Sequence, residues 1–95
     1  MSFVPGDFVG VPCETKPSPF PGEKMVGIIT KKGPISGFVR DEDFVRIQGS
    51  DYIRGKVVAV RKDTIVVEIQ GSYFTTTGLA EFEQIWANQN LKKAA

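Results

Sequence analysis

One stretch limits the fold more than any other. Tyr52 to Arg61 and Thr64 to Gln70 are two runs rich in β-branched residues, separated by Lys62-Asp63. Such runs on either side of a two-residue turn read as a β-hairpin. Successive side chains of a strand point to opposite faces. Strict alternation therefore places Ile53, Val57 and Ala59 on one face, opposite Ile65, Val67 and Ile69, with Arg54, Lys56, Glu68 and Gln70 pointing outward. Val58, Val60 and Val66 are apolar on that nominal outer face, a strip that another segment or a partner has to cover. Gly55 interrupts the inner row, where a sharp bend or bulge is expected.

The rest of the chain reads as further short strands. Asp7 to Val11, Lys24 to Lys31, Ile35 to Arg40 and Phe44 to Gln48 are extended segments, and the threonine-rich Tyr73 to Thr77 is an edge or closing strand. Turns fall at Pro5-Gly6, Lys32-Gly33-Pro34, Asp41-Glu42-Asp43 and Gly49-Ser50-Asp51. Pro12 to Gly22 contains four prolines, each removing a backbone donor, so this segment reads as a rigid loop. Leu79, Phe82 and Trp86, with Ile85 beside them, have the spacing of one helical face. That predicts one or two helical turns from Leu79, either stopping there or continuing to about Leu91, with Phe82, Ile85 and Trp86 covering one end of the fold. The expectation is an all-β fold: a small barrel of short antiparallel strands with a short helical segment near the C-terminus. It forms a single domain over residues 1–95, with 88–95 a candidate flexible tail and a core of Ile53, Val57, Ile65, Val67, Ile69 and Phe74.

Composition narrows the chemistry. The chain carries 12 basic and 11 acidic side chains, a net charge of +1, no histidine and one cysteine. Absence of histidine removes the commonest acid–base catalyst and transition-metal ligand. Cys13 has no partner for an internal disulfide and no companions for a zinc site, and it reads as a packed or half-exposed structural residue. Asp41-Glu42-Asp43 lacks the spaced carboxylates and central glycine of a calcium loop, and Arg40 and Arg46 lie close enough in sequence to neutralise it. Walker, dinucleotide-binding and nucleophile-elbow patterns are all missing. No catalytic, cofactor-binding or metal-binding residue is assigned, and the chain is not expected to be an enzyme. The longest apolar runs, such as Val57 to Val60, are far too short to span a bilayer, and no basic head precedes an apolar run near Met1. A cytoplasmic location is the default expectation.

Three stretches carry a family resemblance: GDFVGV over 6–11, YIRGKVVAVRKDTIVVEIQGSYFTT over 52–76 and GLAEFEQI over 78–85. Together they resemble the SH3-like small β-barrel superfamily. Within it, the ending Ser72 to Ile85 is similar to small accessory subunits of photosynthetic electron-transfer complexes, such as photosystem I subunit IV. The central hairpin is also similar to the barrel portion of a bacterial translocase accessory protein. The resemblance implies a barrel that serves as a docking module, and it carries over no functional residue.

The leading functional expectation is a noncatalytic protein-interaction or accessory-subunit domain, contacting a protein partner or assembling as a homo-oligomer. Phe20, Val58, Val60, Val66 and Trp86 are its interface candidates. The alternative is an RNA or single-stranded DNA binding barrel. Its groove would draw on Tyr52, Arg54, Lys56, Arg61 and Lys62, since cations interleaved with aromatic rings suit a single strand. The near balance of charge argues against this alternative. Cross-strand pairing of Glu68 with Arg54 and Lys56 is the competing use of those side chains.

Overall fold

The computed structural model of the chain describes residues 2–69 and 78–94. Its strands are β1 (Phe8–Val11), β2 (Glu14–Pro17), β3 (Glu23–Thr30), β4 (Gly33–Arg40), β5 (Phe44–Ile47), β6 (Ser50–Val60), β7 (Thr64–Ile69), β8 (Leu79–Glu83) and β9 (Lys92–Lys93). One short helix, α1 (Gln84–Asn90), precedes β9, and a 3-10 turn over Asp41–Asp43 links β4 to β5. The edge or closing strand expected over 73–77, with Phe74 in the core, lies outside the described residues.

The chain is mostly β with a short C-terminal helix, but it is not a barrel. Its strands form two open antiparallel sheets, one ordered β8-β7-β6-β1-β9 with β5 also on β6, the other ordered β2-β3-β4. Barrel closure requires a hydrogen-bond ladder that returns to its first strand. Here the ladder ends at β8 on one side and β9 on the other, and no pairing joins them among the described residues. The barrel is lost in the segment that separates the two sheets. Pro12 to Gly22 is not a plain loop: it contains β2, which pairs with β3 from Glu14↔Gly27 to Pro17↔Lys24. Pro17 ends that strand, and an edge strand tolerates a missing donor. β3 then pairs with β4 in unbroken register from Glu23↔Arg40 to Thr30↔Gly33, without the bulge a strand needs to bend into a second sheet. Strands β2, β3 and β4 therefore complete a sheet of their own. The Lys31 N–H, in the turn between β3 and β4, donates to the Glu81 carbonyl of β8 at 2.9 Å and ties the two sheets at that point. The assignment to the SH3-like superfamily, and with it the likeness to photosystem I subunit IV, has no support in this architecture.

The core lies between the sheets. Val9 and Val11 of β1, Ile53 and Val57 of β6, Ile65, Val67 and Ile69 of β7, and Phe82 of β8 meet Val26, Ile28 and Val39 of β3 and β4 in one buried cluster. The five described members of the expected core are all in it.

The hairpin departs from strict alternation. β6 pairs with β7 through Val57↔Val67, then shifts register, so that Ala59↔Val66 and Val60↔Ile65 follow. The extra residue reverses the faces beyond it. Ala59 moves to the outer face and Val60 to the side of Ile65. The irregularity falls at Val57–Ala59 and not at Gly55. Gly55 serves close packing instead: a Cβ there would lie 2.7 Å from Val67 Cγ1 and 3.3 Å from the Glu68 carbonyl oxygen.

The tail also differs from its helical reading. Residues 79–83 alternate, with Ala80 and Phe82 buried and Leu79 and Glu83 exposed, and they pair with β7 from Glu68↔Leu79 to Thr64↔Glu83. A period of two fits the free edge of β7, and it prevails over the helical spacing of Leu79, Phe82 and Trp86. The helix starts at Gln84. Trp86 stacks on Phe82 with ring centroids 5.0 Å apart, while Ile85 is 75% exposed and covers nothing. Residues 88–90 finish α1, and Lys92–Lys93 form β9 beside β1.

Candidate functional site

A cleft lies between the smaller sheet and α1. It has a volume of about 600 Å³ and is bounded by Cys13, Ile29, Pro34 and Ile35 on the β2–β4 side and by Trp86 and Asn90 of α1. Trp86 is held by its stack on Phe82, and Asn90 donates from Nδ2 to the Trp86 carbonyl at 2.9 Å, so the helical wall is fixed. Ile29 projects largely into solvent beside it.

Cys13 is half-exposed at the cleft, in keeping with a structural residue. Burial pushes its thiol pKa up, the Asp51 carboxylate adds to the effect, and a backbone hydrogen bond with Ile53 partly offsets both. The neutral thiol is favoured, which is the reverse of what a nucleophile requires.

The proposed protein-interface residues do not form one surface. Trp86 lines the cleft. Phe20 lies elsewhere, packed edge-on against Phe38 with centroids 6.0 Å apart, and remains largely exposed. Val58 and Val60 are 40% and 38% exposed, whereas Val66 is 5% exposed. The bulge between Val57 and Ala59 divides the strip that strict alternation assembles from these three.

The nucleic-acid candidates fall into two groups. Tyr52, Arg54 and Lys56 share the outer face of β6, two residues apart. Arg61 and Lys62 sit five and more residues beyond Lys56, at the hairpin tip. That tip is tied to β8 and α1: the Gln84 N–H donates to the Asp63 carbonyl at 2.9 Å, and the Gln84 side-chain amide donates to the Arg61 carbonyl. Lys62 and Lys31 line a smaller hollow there with Asp63 and Glu83.

Register adds residues that sequence reasoning passed over. Lys92 and Arg54 both pair with Gly10, and Phe8 pairs with Lys56, so Phe8 and Lys92 join the outer-face group. The alternation Phe8-Val9-Gly10-Val11 already put Phe8 outside, but the position of Lys92 depends on β9 pairing with β1. Lys56 and Glu68 are opposite in register, yet they make no ion pair among the described residues. Lys56 Nζ instead lies 5.8 Å from the centre of the Phe8 ring.

The acidic turn is neutralised in part as expected. Lys24 pairs with Asp41 at 3.4 Å and Arg40 with Glu42 at 3.6 Å, whereas Arg46 pairs with Asp51 at 3.5 Å. Among the described residues, no group of three or more acidic, cysteine or histidine side chains could hold a metal ion. No helix among them is long and apolar enough to cross a membrane. Comparison with protein-family models, with curated proteins and with solved structures finds no match to this chain.

Proposed function

We propose that this chain is a noncatalytic interaction domain that holds an apolar segment of a protein partner in the cleft between its smaller sheet and α1. The cleft itself carries the reading: a concave surface of about 600 Å³ joins an aromatic anchor, Trp86, to the aliphatic wall of Ile29, Pro34 and Ile35. Aromatic side chains next to apolar hollows are the usual centres of protein contacts. The raised thiol pKa of Cys13 and the absence of histidine favour binding over catalysis. A single half-exposed thiol suits a reducing compartment such as the cytoplasm.

The chain contains one tryptophan and one cysteine, and both line this cleft. Trp86 emission is therefore a direct reporter, and Cys13 a unique point of attachment. Peptides selected from a random displayed library on the immobilised protein should be apolar and should shift Trp86 emission. Their binding should fall about tenfold or more on Ile29→Glu, because a carboxylate would have to be desolvated against the peptide. Ile29 is mostly exposed, so this variant keeps the core intact. Selection of no peptide, or of peptides that leave Trp86 emission and the Ile29→Glu variant unaffected, would refute the assignment. Light scattering over a wide concentration range separates a foreign partner from a second copy.

A further inference from the structure

The geometry points to a second binding surface: the outer face of the larger sheet, where Arg54, Lys56 and Lys92 surround Phe8 and Tyr52, takes single-stranded nucleic acid.

Pairing alone brings these residues together. Lys92, Gly10 and Arg54 form one row across β9, β1 and β6, and Phe8, Lys56 and Glu68 form the next row across β1, β6 and β7. Gly10 sits between two cations with no side chain of its own. A Cβ at that position would lie 2.7 Å from Tyr52 Cβ and 2.9 Å from Ile47 Cδ1, so the space above Gly10 is filled by Tyr52 and Ile47. The cations thus flank a half-buried tyrosine, and Lys56 caps one side of a phenylalanine that is 49% exposed.

Two features single out a nucleic acid. First, none of Arg54, Lys56 and Lys92 forms an ion pair among the described residues, although Lys24, Arg40, Arg46 and Lys93 each do. Glu68 is the one acid in these two rows, against three cations, so the face has a local positive excess that the chain as a whole lacks. Second, an exposed aromatic ring between cations suits a strand whose bases are free to stack while its phosphates meet the charges. A duplex would leave the ring without a base to stack on. An acidic protein would satisfy the charges but has no matching use for Phe8.

The test is fluorescence anisotropy with labelled oligothymidylate and oligouridylate of about 15 nucleotides, a length that covers a sheet-sized site. Three phosphate contacts imply a slope of about −2 in log affinity against log salt, or about 20-fold weaker binding between roughly 50 and 200 mM. Arg54→Gln and Lys92→Gln should each flatten that slope by about 0.7. Phe8→Ala should weaken binding about fivefold or more at unchanged slope, because it removes stacking and not charge. Circular dichroism establishes that each variant is folded, and Arg54→Gln carries the test if Phe8→Ala is not. Absence of binding at about 0.1 mM protein in low salt would overturn the proposal. So would binding indifferent to Arg54→Gln and Lys92→Gln. Polyphosphate or polyglutamate binding as tightly as the oligonucleotides would also overturn it, and a preference for polyglutamate would assign the face to an acidic protein.

Discussion

Gly55→Ala places one methyl group where the structure leaves no room for it. The new Cβ would lie 2.7 Å from Val67 Cγ1, 3.3 Å from the Glu68 carbonyl oxygen and 3.6 Å from Val11 Cγ2. All three neighbours belong to strands of the larger sheet, and Val67 and Val11 are fully buried. Overpacking of this kind costs about 1–3 kcal/mol. The substitution also restricts the unfolded chain, which returns about 0.4–1 kcal/mol. The net loss is about 0.5–2 kcal/mol, and a urea dependence near 1 kcal/mol/M makes that a midpoint lower by about 1 M. Val67→Ala alone should cost about 1–3 kcal/mol through its lost methyl groups. It also removes the atom that the added methyl group would strike, so Gly55→Ala should become nearly neutral in that background. A coupling of about 1 kcal/mol between the two positions follows. Gly27→Ala is the internal control, since the nearest atom to its Cβ is Ile35 O at 3.9 Å, and its midpoint should stay level or rise slightly. Equal costs for Gly55→Ala with and without Val67 would show that the close approach is not what selects glycine.

Three further outcomes follow from the same structure. The raised thiol pKa means that Cys13 should react with iodoacetamide at neutral pH more slowly than a free cysteine, and Asp51→Asn should accelerate it by removing one of the two effects that hold the proton on. A folded pKa above the unfolded one contributes stability that is complete below the ordinary thiol range near 8.5 and is lost as pH rises through the folded value. The alkaline arm of a stability profile should therefore flatten in Cys13→Ala. Phe82→Ala should cost about 3–5 kcal/mol while Ile85→Ser stays within about 0.5 kcal/mol, since one ring is buried and the other side chain projects into solvent. Comparable midpoints for the two variants would contradict the strand assigned to Leu79–Glu83.

The hairpin was legible because its signal is local. Ile53, Val57, Ile65, Val67 and Ile69 share a face through period-two alternation across a short turn, and all are buried. What alternation does not reveal is a single inserted residue, and one bulge at Val57–Ala59 exchanged the faces of Ala59 and Val60. The barrel expectation failed for a reason of longer range. Whether β2, β3 and β4 extend the first ladder or complete a separate one depends on which strand each edge meets, and many residues lie between those partners. The proline-rich segment made this harder, because prolines argue against a central strand but not against a short edge strand such as Glu14–Pro17. Leu79 to Trp86 satisfied helical and strand periods at once. Only the unpaired edge of β7 decides between them. Of the cleft, Trp86 was visible in advance, but Ile29 and Pro34 come to it from β3 and β4, and Cys13 from the link into β2, whose pairing into a separate sheet is not local.

Charge shows the same separation between count and place. A net charge of +1 argues against polyanion binding only if acids and bases are evenly mixed, whereas screening confines each exposed charge to about 8 Å at physiological salt. A ligand therefore responds to local excess. In this fold Asp41, Glu42 and Asp51 are engaged by Lys24, Arg40 and Arg46 around the acidic turn and the β5–β6 hairpin. Asp7 takes Lys93 beside β1. Each pair takes one acid and one cation together, so the sum is unchanged, but none of these four acids pairs with Arg54, Lys56 or Lys92. The outer face keeps its cations because β9 adds Lys92 to a row that Gly10 leaves without a side chain of its own. Strand pairing thus gives a nearly neutral composition a face with a local positive excess, three cations against Glu68, which is why the patch becomes visible only once the register is known.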